Sequence, residues 1–223
     1  MLATDLSAGA FPTESHLDAL SAALRLRGYA VLDNMLPPAL VDALLADARG
    51  GQADFRPAAT GRRARRRSNP FVRRDAIAWL EPQASAAQAA YLALMAALRS
   101  GLNRRLLLGL FSYEAQFSHY PDGAFYRKHY DAFRGERNRV LSTVLYLNPA
   151  WQSDDAGQLR VFDPADDTLE LCCLLPHYGR LVVFLSEEFA HEVLPTRRSR
   201  YSIAGWFRLN SGALAAVPLS VPL

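Results

Sequence analysis

The sequence contains little cysteine, and this scarcity excludes two classes of site. Of its 223 residues only Cys172 and Cys173 are cysteines, and they are adjacent. On a strand, neighbouring side chains point to opposite faces of the sheet. We expect both cysteines to be packing residues. Two adjacent cysteines support neither a disulfide framework nor a cysteine-ligated zinc site, and a reducing compartment fits this composition.

Long apolar runs and lysine are also scarce. No stretch reaches the roughly 18 apolar residues that a membrane-spanning helix needs, and the N-terminal MLATDLSAGAF lacks the features of a secretion signal. We therefore expect a soluble cytoplasmic protein without membrane association. Lys128 is the only lysine among 25 lysine and arginine residues. We interpret the arginine excess first as compositional bias and second as a sign of an acidic partner.

The N-terminal half carries the helical patterns. Half of all residues are hydrophobic, which suits one domain with a sizeable core. Apolar spacing predicts helices over 15–28, with Ser15 as N-cap, and over 37–51 and 84–106. GYAVLDN is predicted as a short strand. Residues 1–107 are therefore predicted to form a helical support region, which includes an arginine-rich loop at about 51–76.

From about residue 108 the pattern changes to short β-prone runs separated by proline, glycine, aspartate and asparagine. Many short strands at this spacing predict a sandwich or barrel. We expect a mainly β fold with N-terminal helices (α+β), in which the helices pack on a β core over 108–210. A tail, 211–223, completes what we predict to be one structural domain.

A candidate metal site lies in the stretch YRKHYDAF, in a chain with only five histidines. His129 and Asp131 are two residues apart, so on extended backbone both side chains project from the same face. A His-x-Asp triplet alone is more often an ordinary polar pair. His191, between two later strand-like runs, offers a third ligand. Two histidines and one carboxylate match the facial triad of non-haem Fe(II) oxygenases.

Arg200 follows His191 by nine residues, at the start of RYSIAGWF. A strand, a turn and a returning strand could place it beside the metal, and a buried guanidinium needs an anion such as a carboxylate. If Arg200 faces inward, strand alternation places Ser202, Ala204 and Trp206 on the same face, and placing Tyr146 inward likewise places Val144 and Ser142 inward. This interior suits a small dicarboxylate with one end near Arg200 and Tyr146 and a 2-oxo acid end on iron.

Several motifs together resemble a known family: YRKHYD, RVLSTVLYLNPAW, AGQLRVF, HEVLPTRRSRYSIAGWF, RGYAVLDNMLP and FVRRDAIAWLEP. They are similar to the Fe(II)/2-oxoglutarate-dependent dioxygenases of the prolyl 4-hydroxylase family. The resemblance covers most of the chain. The collagen-type enzymes carry a lysine in the anchoring role, so Arg200 points to the oxygen-sensor-like branch, which includes the hypoxia-inducible-factor prolyl hydroxylases and bacterial prolyl hydroxylases.

The resemblance implies a double-stranded β-helix (jelly-roll) core and a set of site residues. The implied catalytic residues and Fe(II) ligands are His129, Asp131 and His191. The implied cosubstrate pocket comprises Arg200 and Tyr146 at the C5 carboxylate of 2-oxoglutarate, with Tyr120, Ser142, Leu159 and Trp206 around them. O₂ is the second cosubstrate, ascorbate is an expected activator, and succinate and CO₂ are the coproducts.

The function implied by the resemblance is hydroxylation of a proline in a flexible loop of a cytoplasmic protein, by analogy a translation factor. One alternative is a hydroxylase of a small molecule or free amino acid. Another is a non-enzymatic jelly-roll module that binds metal or RNA.

The loop GRRARRRSNPFVRR (61–74) either is simply solvated or steers an acidic substrate. Nucleic-acid binding is the weaker hypothesis, because Phe71 is the only aromatic residue within this loop. Nucleic-acid demethylases, as relatives with the same iron chemistry, carry a second arginine where Trp206 stands. The oligomeric state stays unpredicted.

Overall fold

The computed structural model of the chain describes residues 11–51, 53–58, 69–132 and 138–210. Most of the arginine-rich loop, over 59–68, and the predicted tail, over 211–223, lie outside the described residues.

Three helices form the N-terminal layer, with ends within two residues of the predicted ones: α1 Glu14–Arg27, α2 Pro38–Arg49 and α3 Ala86–Leu106. Helix α1 is capped by Thr13 rather than by the predicted Ser15. The Thr13 hydroxyl accepts from the backbone N–H of His16, and the His16 ring accepts in return from the backbone of Thr13, which satisfies two otherwise free donors. None of the helices in the described ranges is long and apolar enough to cross a membrane.

The described residues form eleven strands: β1 Tyr29–Leu32, β2 Arg56–Pro57, β3 Ala76–Trp79, β4 Ser112–Tyr120, β5 Tyr126–His129, β6 Arg139–Tyr146, β7 Leu159–Phe162, β8 Glu170–Leu174, β9 Leu181–Leu185, β10 His191–Val193 and β11 Arg200–Arg208. Seven make a large sheet in the order β1-β9-β6-β11-β4-β3-β2, and four make a small sheet in the order β5-β10-β7-β8. The jelly-roll prediction is confirmed. Strands β5 and β10 are too short to give a periodic signal.

The large sheet has one face toward the helices and one toward the small sheet. On β6 and β11, Leu145, Ile203 and Phe207 join the helix-side core with residues of all three helices. Tyr146, on β6, instead packs in a second cluster with side chains of the small sheet. The predicted alternation along these two strands is therefore confirmed. Because the helices cover the other face of the large sheet, a ligand site is expected in the space between the two sheets.

The two cysteines lie on β8 with different surroundings. Cys172 packs partly against the cluster between the sheets, where it is in register with Val161 of β7. Cys173 is exposed, so the predicted packing role is wrong for this residue. Adjacent strand positions point to opposite faces, and only one face of β8 is covered.

A buried hydroxyl chain ties α3 to the large sheet. The Tyr113 hydroxyl lies 3.0 Å from that of Tyr91 and 2.9 Å from that of Thr143, and burial raises the pKa of both tyrosines. The Tyr113 ring occupies the space over Gly205, where a Cβ atom would overlap its Oη atom. Only glycine fits at this position of β11.

We expect Gly205→Ala to lower the free energy of unfolding by about 1–3 kcal/mol, the usual cost of overpacking a core. Chemical denaturation of wild type and variant measures this loss. In a Tyr113→Leu background the overlapping ring is gone, so the same substitution should cost much less. An equal loss in both backgrounds would contradict the steric explanation.

Candidate active site

Pairing between β5 and β10 brings the predicted ligands together. His129 and His191 are partners in the register of these strands, and Asp131 follows two residues after the end of β5. Their ligand atoms all lie within 4.8 Å of one another. The Asp131 carboxylate is 3.7 Å from Nε2 of His129 and 3.6 Å from Nε2 of His191. These separations allow all three side chains to contact one cation.

Both imidazole rings are oriented by their own backbone. Nδ1 of His129 lies 2.8 Å from the carbonyl oxygen of Arg127, and Nδ1 of His191 lies 3.1 Å from that of Phe189. A carbonyl oxygen only accepts, so each Nδ1 carries the proton and each Nε2 keeps its lone pair for a metal. Hydrogen bonds of this kind are the usual outer support of metal-binding histidines.

The charge states of the cluster also suit a metal. Burial alone would raise the pKa of Asp131, but His191, His129 and the Ser142 hydroxyl hold it well below its usual range. Ser142 Oγ donates to Oδ2 of Asp131 at 2.7 Å and lies 2.9 Å from Oγ of Ser186. Burial lowers the pKa of His191 to about 4. Near neutral pH the cluster therefore offers a carboxylate and a neutral imidazole without losing a proton.

Two aromatic rings that sequence reasoning missed pack against the histidines. The Tyr126 ring stacks on His129 at 3.6 Å between centroids and 16° between planes. Phe184 meets His191 edge-on at 4.8 Å. Tyr126 belongs to the YRKHYD motif, so this motif could have indicated that Tyr126 lies near the metal ligands. Phe184 lies on β9 in the large sheet, and no local pattern links it to His191.

Arg200 is buried without an anionic partner. It is 1% exposed, its Nε atom has no hydrogen-bond partner, and its guanidinium makes one long contact, of 3.4 Å, with the Ser202 hydroxyl. The guanidinium carbon lies 4.8 Å and 5.0 Å from the ring centroids of Tyr120 and Tyr146. Among the described residues no carboxylate pairs with it. A buried charge is costly unless paired, so this position fits the carboxylate of a ligand.

The Tyr146 hydroxyl is the second unused polar group in this pocket. Within the described ranges it is buried without a hydrogen-bond partner, and burial raises its pKa to about 12 against the opposing charge of Arg200. Tyr146 is the partner of Ser202 in the β6–β11 register, and Tyr120 is the partner of Arg200 in the β4–β11 register. Leu159 packs in the same cluster. The pocket therefore combines an aromatic wall with two unpaired donors.

Two further predicted pocket residues, Ser142 and Trp206, are partners in the β6–β11 register. Ser142 lies at the metal end of the pocket, where it contacts Asp131. The Trp206 ring centroid lies 3.8 Å from the guanidinium carbon of Arg139, and its buried Nε1 atom has no hydrogen-bond partner among the described residues. Strand alternation places the Ser142 and Trp206 side chains on the face of the large sheet that is turned toward the small sheet.

Comparison with known proteins agrees with this arrangement. A family model described as the 2OG-Fe(II) oxygenase superfamily matches residues 115–208. The crystal structure of a Pseudomonas putida prolyl-4-hydroxylase is 43% identical, covers 87% of this chain and all of that chain, and superposes with a TM-score of 0.78. This chain belongs to the prolyl hydroxylase branch of the 2OG-Fe(II) oxygenase superfamily. The family predicted from the sequence motifs is therefore confirmed.

Two animal relatives extend the comparison. A Trichoplax adhaerens prolyl hydroxylase, solved with a peptide fragment of the hypoxia-inducible-factor oxygen degradation domain, is 26% identical over 92% of this chain and 94% of that chain, with a TM-score of 0.75. Human Egl nine homolog 1 is 28% identical over 149 residues, which are 63% of this chain. The chain spans only 34% of the length of that human protein.

The residues present fit the cofactors of this prolyl hydroxylase branch. The superfamily takes its name from Fe(II) and 2-oxoglutarate. Two imidazoles and a carboxylate are a donor set suited to Fe(II), and the unpaired Arg200 and Tyr146 are suited to the far carboxylate of 2-oxoglutarate. The predicted cofactors, Fe(II), 2-oxoglutarate and O₂, are therefore confirmed. The role of ascorbate stays a prediction.

We expect Ser142→Ala to weaken divalent metal binding about tenfold, because Asp131 loses the hydroxyl that orients it. Isothermal titration with Co²⁺ measures the change. Ser100→Ala removes a hydroxyl that bonds only within α3 and serves as the matched control. Equal affinities of the two variants would contradict a role for Ser142 at the metal.

Proposed function

We propose that the protein is an Fe(II)- and 2-oxoglutarate-dependent peptidyl-prolyl hydroxylase that forms succinate and CO₂ as coproducts. The observation that carries the proposal is the combination, between the two sheets, of the His129–Asp131–His191 cluster with a buried arginine that has no anionic partner among the described residues. A purely structural metal site would not need a buried arginine that is free to bind the carboxylate of a ligand. The similarity to prolyl hydroxylases supports the choice of substrate residue.

Each part of the cleft has a distinct task. His129 and His191 would hold Fe(II) through Nε2, and Asp131 would hold it through its carboxylate. The bound iron, with 2-oxoglutarate and O₂, supplies the oxidising power for hydroxylating a C–H bond. Arg200 would bind the C5 carboxylate of 2-oxoglutarate through its fork of N–H donors, and Tyr146 would donate its hydroxyl. The buried walls between the sheets limit access of water.

The surface beside β5 supports a protein substrate. Residues 72–74 run along this strand: the Arg74 N–H donates to the Phe125 carbonyl at 3.0 Å, and the Arg127 N–H donates to the Val72 carbonyl at 2.9 Å. The guanidiniums of Arg74 and Arg127 each lie 5.4 Å from the Phe125 ring centroid. Both arginines are exposed, and in the described ranges neither pairs with a carboxylate.

Because Arg127 is two residues from His129, these cations would meet the chain that flanks a target proline. They favour a substrate with acidic residues near that proline over a free amino acid. We place this substrate in the cytoplasm, in a flexible loop, and a translation factor is a candidate by family analogy.

We expect Asp131→Ala to abolish 2-oxoglutarate consumption, because the cluster of two histidines and one aspartate loses its carboxylate. Arg200→Met should keep metal binding and weaken 2-oxoglutarate binding at least about 30-fold, since a buried partner of a charge is worth 2 kcal/mol or more. Succinate formation and calorimetric titration measure the two effects. Full turnover by Asp131→Ala would refute the assignment of the triad.

The reaction itself is tested with a lysate of cells that lack this enzyme. Purified protein is added with Fe(II), ascorbate and 2-oxoglutarate, and mass spectrometry detects peptides that gain one oxygen. A gain on proline with wild type but not with His129→Ala supports the proposal and identifies the substrate. Steady succinate formation without any modified peptide would instead indicate a small-molecule substrate. Metal binding without 2-oxoglutarate consumption would indicate a non-enzymatic module.

We expect charge reversal at the β5 surface to separate the two kinds of substrate. Arg74→Glu and Arg127→Glu together should lower kcat/KM for a proline peptide with acidic flanks about tenfold at low salt, and less at high salt. Peptide-independent succinate formation should stay unchanged. Arg25→Glu, on α1, is the control for a charge reversal away from this surface. An equal effect on free proline would contradict the protein-substrate model.

A further inference from the structure

A buried ion pair beside the metal cluster has no part in the function proposed above. Arg73 binds Asp75 with two parallel hydrogen bonds, Nε to Oδ1 at 2.7 Å and a terminal nitrogen to Oδ2 at 2.5 Å. Only 10% of the Arg73 side chain and none of the Asp75 side chain is exposed. The pair is far less exposed than the neighbouring surface pair Arg56–Asp54, in which each side chain is more than three-quarters exposed. Such burial indicates that the Arg73–Asp75 pair has a structural or functional role and is not an ordinary solvent-exposed ion pair.

The Arg73 guanidinium lies on one face of Tyr126, and His129 lies against the Tyr126 ring as well. The guanidinium carbon is 4.1 Å from the Tyr126 centroid, and the His129 centroid is 3.6 Å from it. The backbones of Arg73 and Tyr126 also form an isolated antiparallel bridge. Asp75, Arg73, Tyr126 and His129 thus form a continuous chain of contacts that ends on a metal ligand.

His129 needs such support more than His191 does. His191 is 6% exposed at its side chain and is in contact with Phe184 of the large sheet. His129 is 17% exposed and is the last residue of the short edge strand β5, where its ring also contacts a carbonyl two residues earlier and the His191 ring at 4.3 Å. A stacked ring restricts rotation of the imidazole about its Cβ–Cγ bond. Tyr126 and the Arg127 carbonyl therefore act together on the direction of Nε2.

The charges of the pair are arranged to avoid a penalty at the metal. An unpaired guanidinium would repel a divalent cation bound nearby, because charges are only weakly screened in a buried, low-dielectric site. Asp75 neutralises Arg73 at hydrogen-bond distance, so the stack contributes an oriented ring with little net charge. A bidentate fork fixes the plane of the guanidinium, which a lysine could not do.

We propose that Arg73 and Asp75 are positioning residues, which hold Tyr126 against His129 and thereby fix this imidazole for metal binding. The inference rests on the proposed role of His129 as a metal ligand. It concerns how tightly and in what geometry the metal is held.

The test uses Co²⁺ binding to the full chain, measured by titration and by the visible absorption spectrum, which reports ligand geometry. Tyr126→Leu removes the ring and should bind Co²⁺ about tenfold more weakly, with an altered spectrum. Tyr126→Phe keeps the ring and should match wild type. Arg73→Met/Asp75→Asn removes both charges together, which avoids leaving one of them buried alone, and should also bind more weakly.

A mutant cycle separates positioning from general destabilisation. If the ion pair acts through the ring, adding Arg73→Met/Asp75→Asn to Tyr126→Leu should cause no further loss of Co²⁺ affinity. Arg198→Met/Asp155→Asn is the matched control, because Arg198 also pairs with an aspartate, at 3.0 Å, and lies 4.7 Å from the Trp151 ring centroid. Its Co²⁺ affinity and spectrum should equal those of wild type. Thermal unfolding of each metal-free variant establishes that it is folded.

The outcomes are distinct. Wild-type affinity and spectrum in both Tyr126→Leu and Arg73→Met/Asp75→Asn would overturn the inference and leave the metal centre intact. Additive losses in the combined variant would also overturn it, because they would place the ion pair outside the path through Tyr126. Failure of the wild-type protein to bind Co²⁺ would overturn the metal centre and the inference together.

Discussion

Strand β11 pairs with β4 along its whole length, from Arg200 opposite Tyr120 to Arg208 opposite Ser112, and with β6 on its other side. Side chains alternate along a strand, so this register decides which residues enter the cleft. Arg200 and Ser202 face the cleft, while Ile203 and Phe207 complete the helix-side core. A slip of one residue would bury the guanidinium among the helices and expose apolar side chains to the cleft. The helix-side core and the cosubstrate pocket therefore depend on the same hydrogen bonds.

The parts of this protein that follow from local pattern could be predicted from its sequence. The helices have apolar periodicity over several turns, and β6 and β11 are long enough for alternation to place Tyr146 and Arg200. The triad followed from residue types and from family motifs. The outer support of the triad could not be predicted, because it depends on contacts between distant segments. Arg73 precedes Tyr126 by 53 positions in the sequence, and nothing near either residue indicates that they touch.

The arginine-rich composition has a structural explanation beyond compositional bias. Several arginines are structural and bind carboxylates, among them Arg180 with Asp33 and Arg198 with Asp155. In the part of the chain that the structure describes, Arg200 differs from these because it is buried without an anionic partner. Arg74 and Arg127 differ because they are exposed and have no anionic partner in the same ranges. Composition alone cannot separate these groups, since the distinction lies in which arginines have a carboxylate within reach after folding.

The histidine tautomers are set by strand geometry before any metal arrives. Each Nδ1 proton is directed to a carbonyl of its own chain, and the two Nε2 atoms already converge on Asp131. A site this well organised has little means of rejecting other divalent ions, and copper, nickel and zinc bind nitrogen and oxygen donors more tightly than Fe²⁺ does. Selectivity for iron then depends on coordination geometry and on the metals that the cell makes available. The same preorganisation that favours rapid loading leaves the enzyme open to inhibition by the wrong metal.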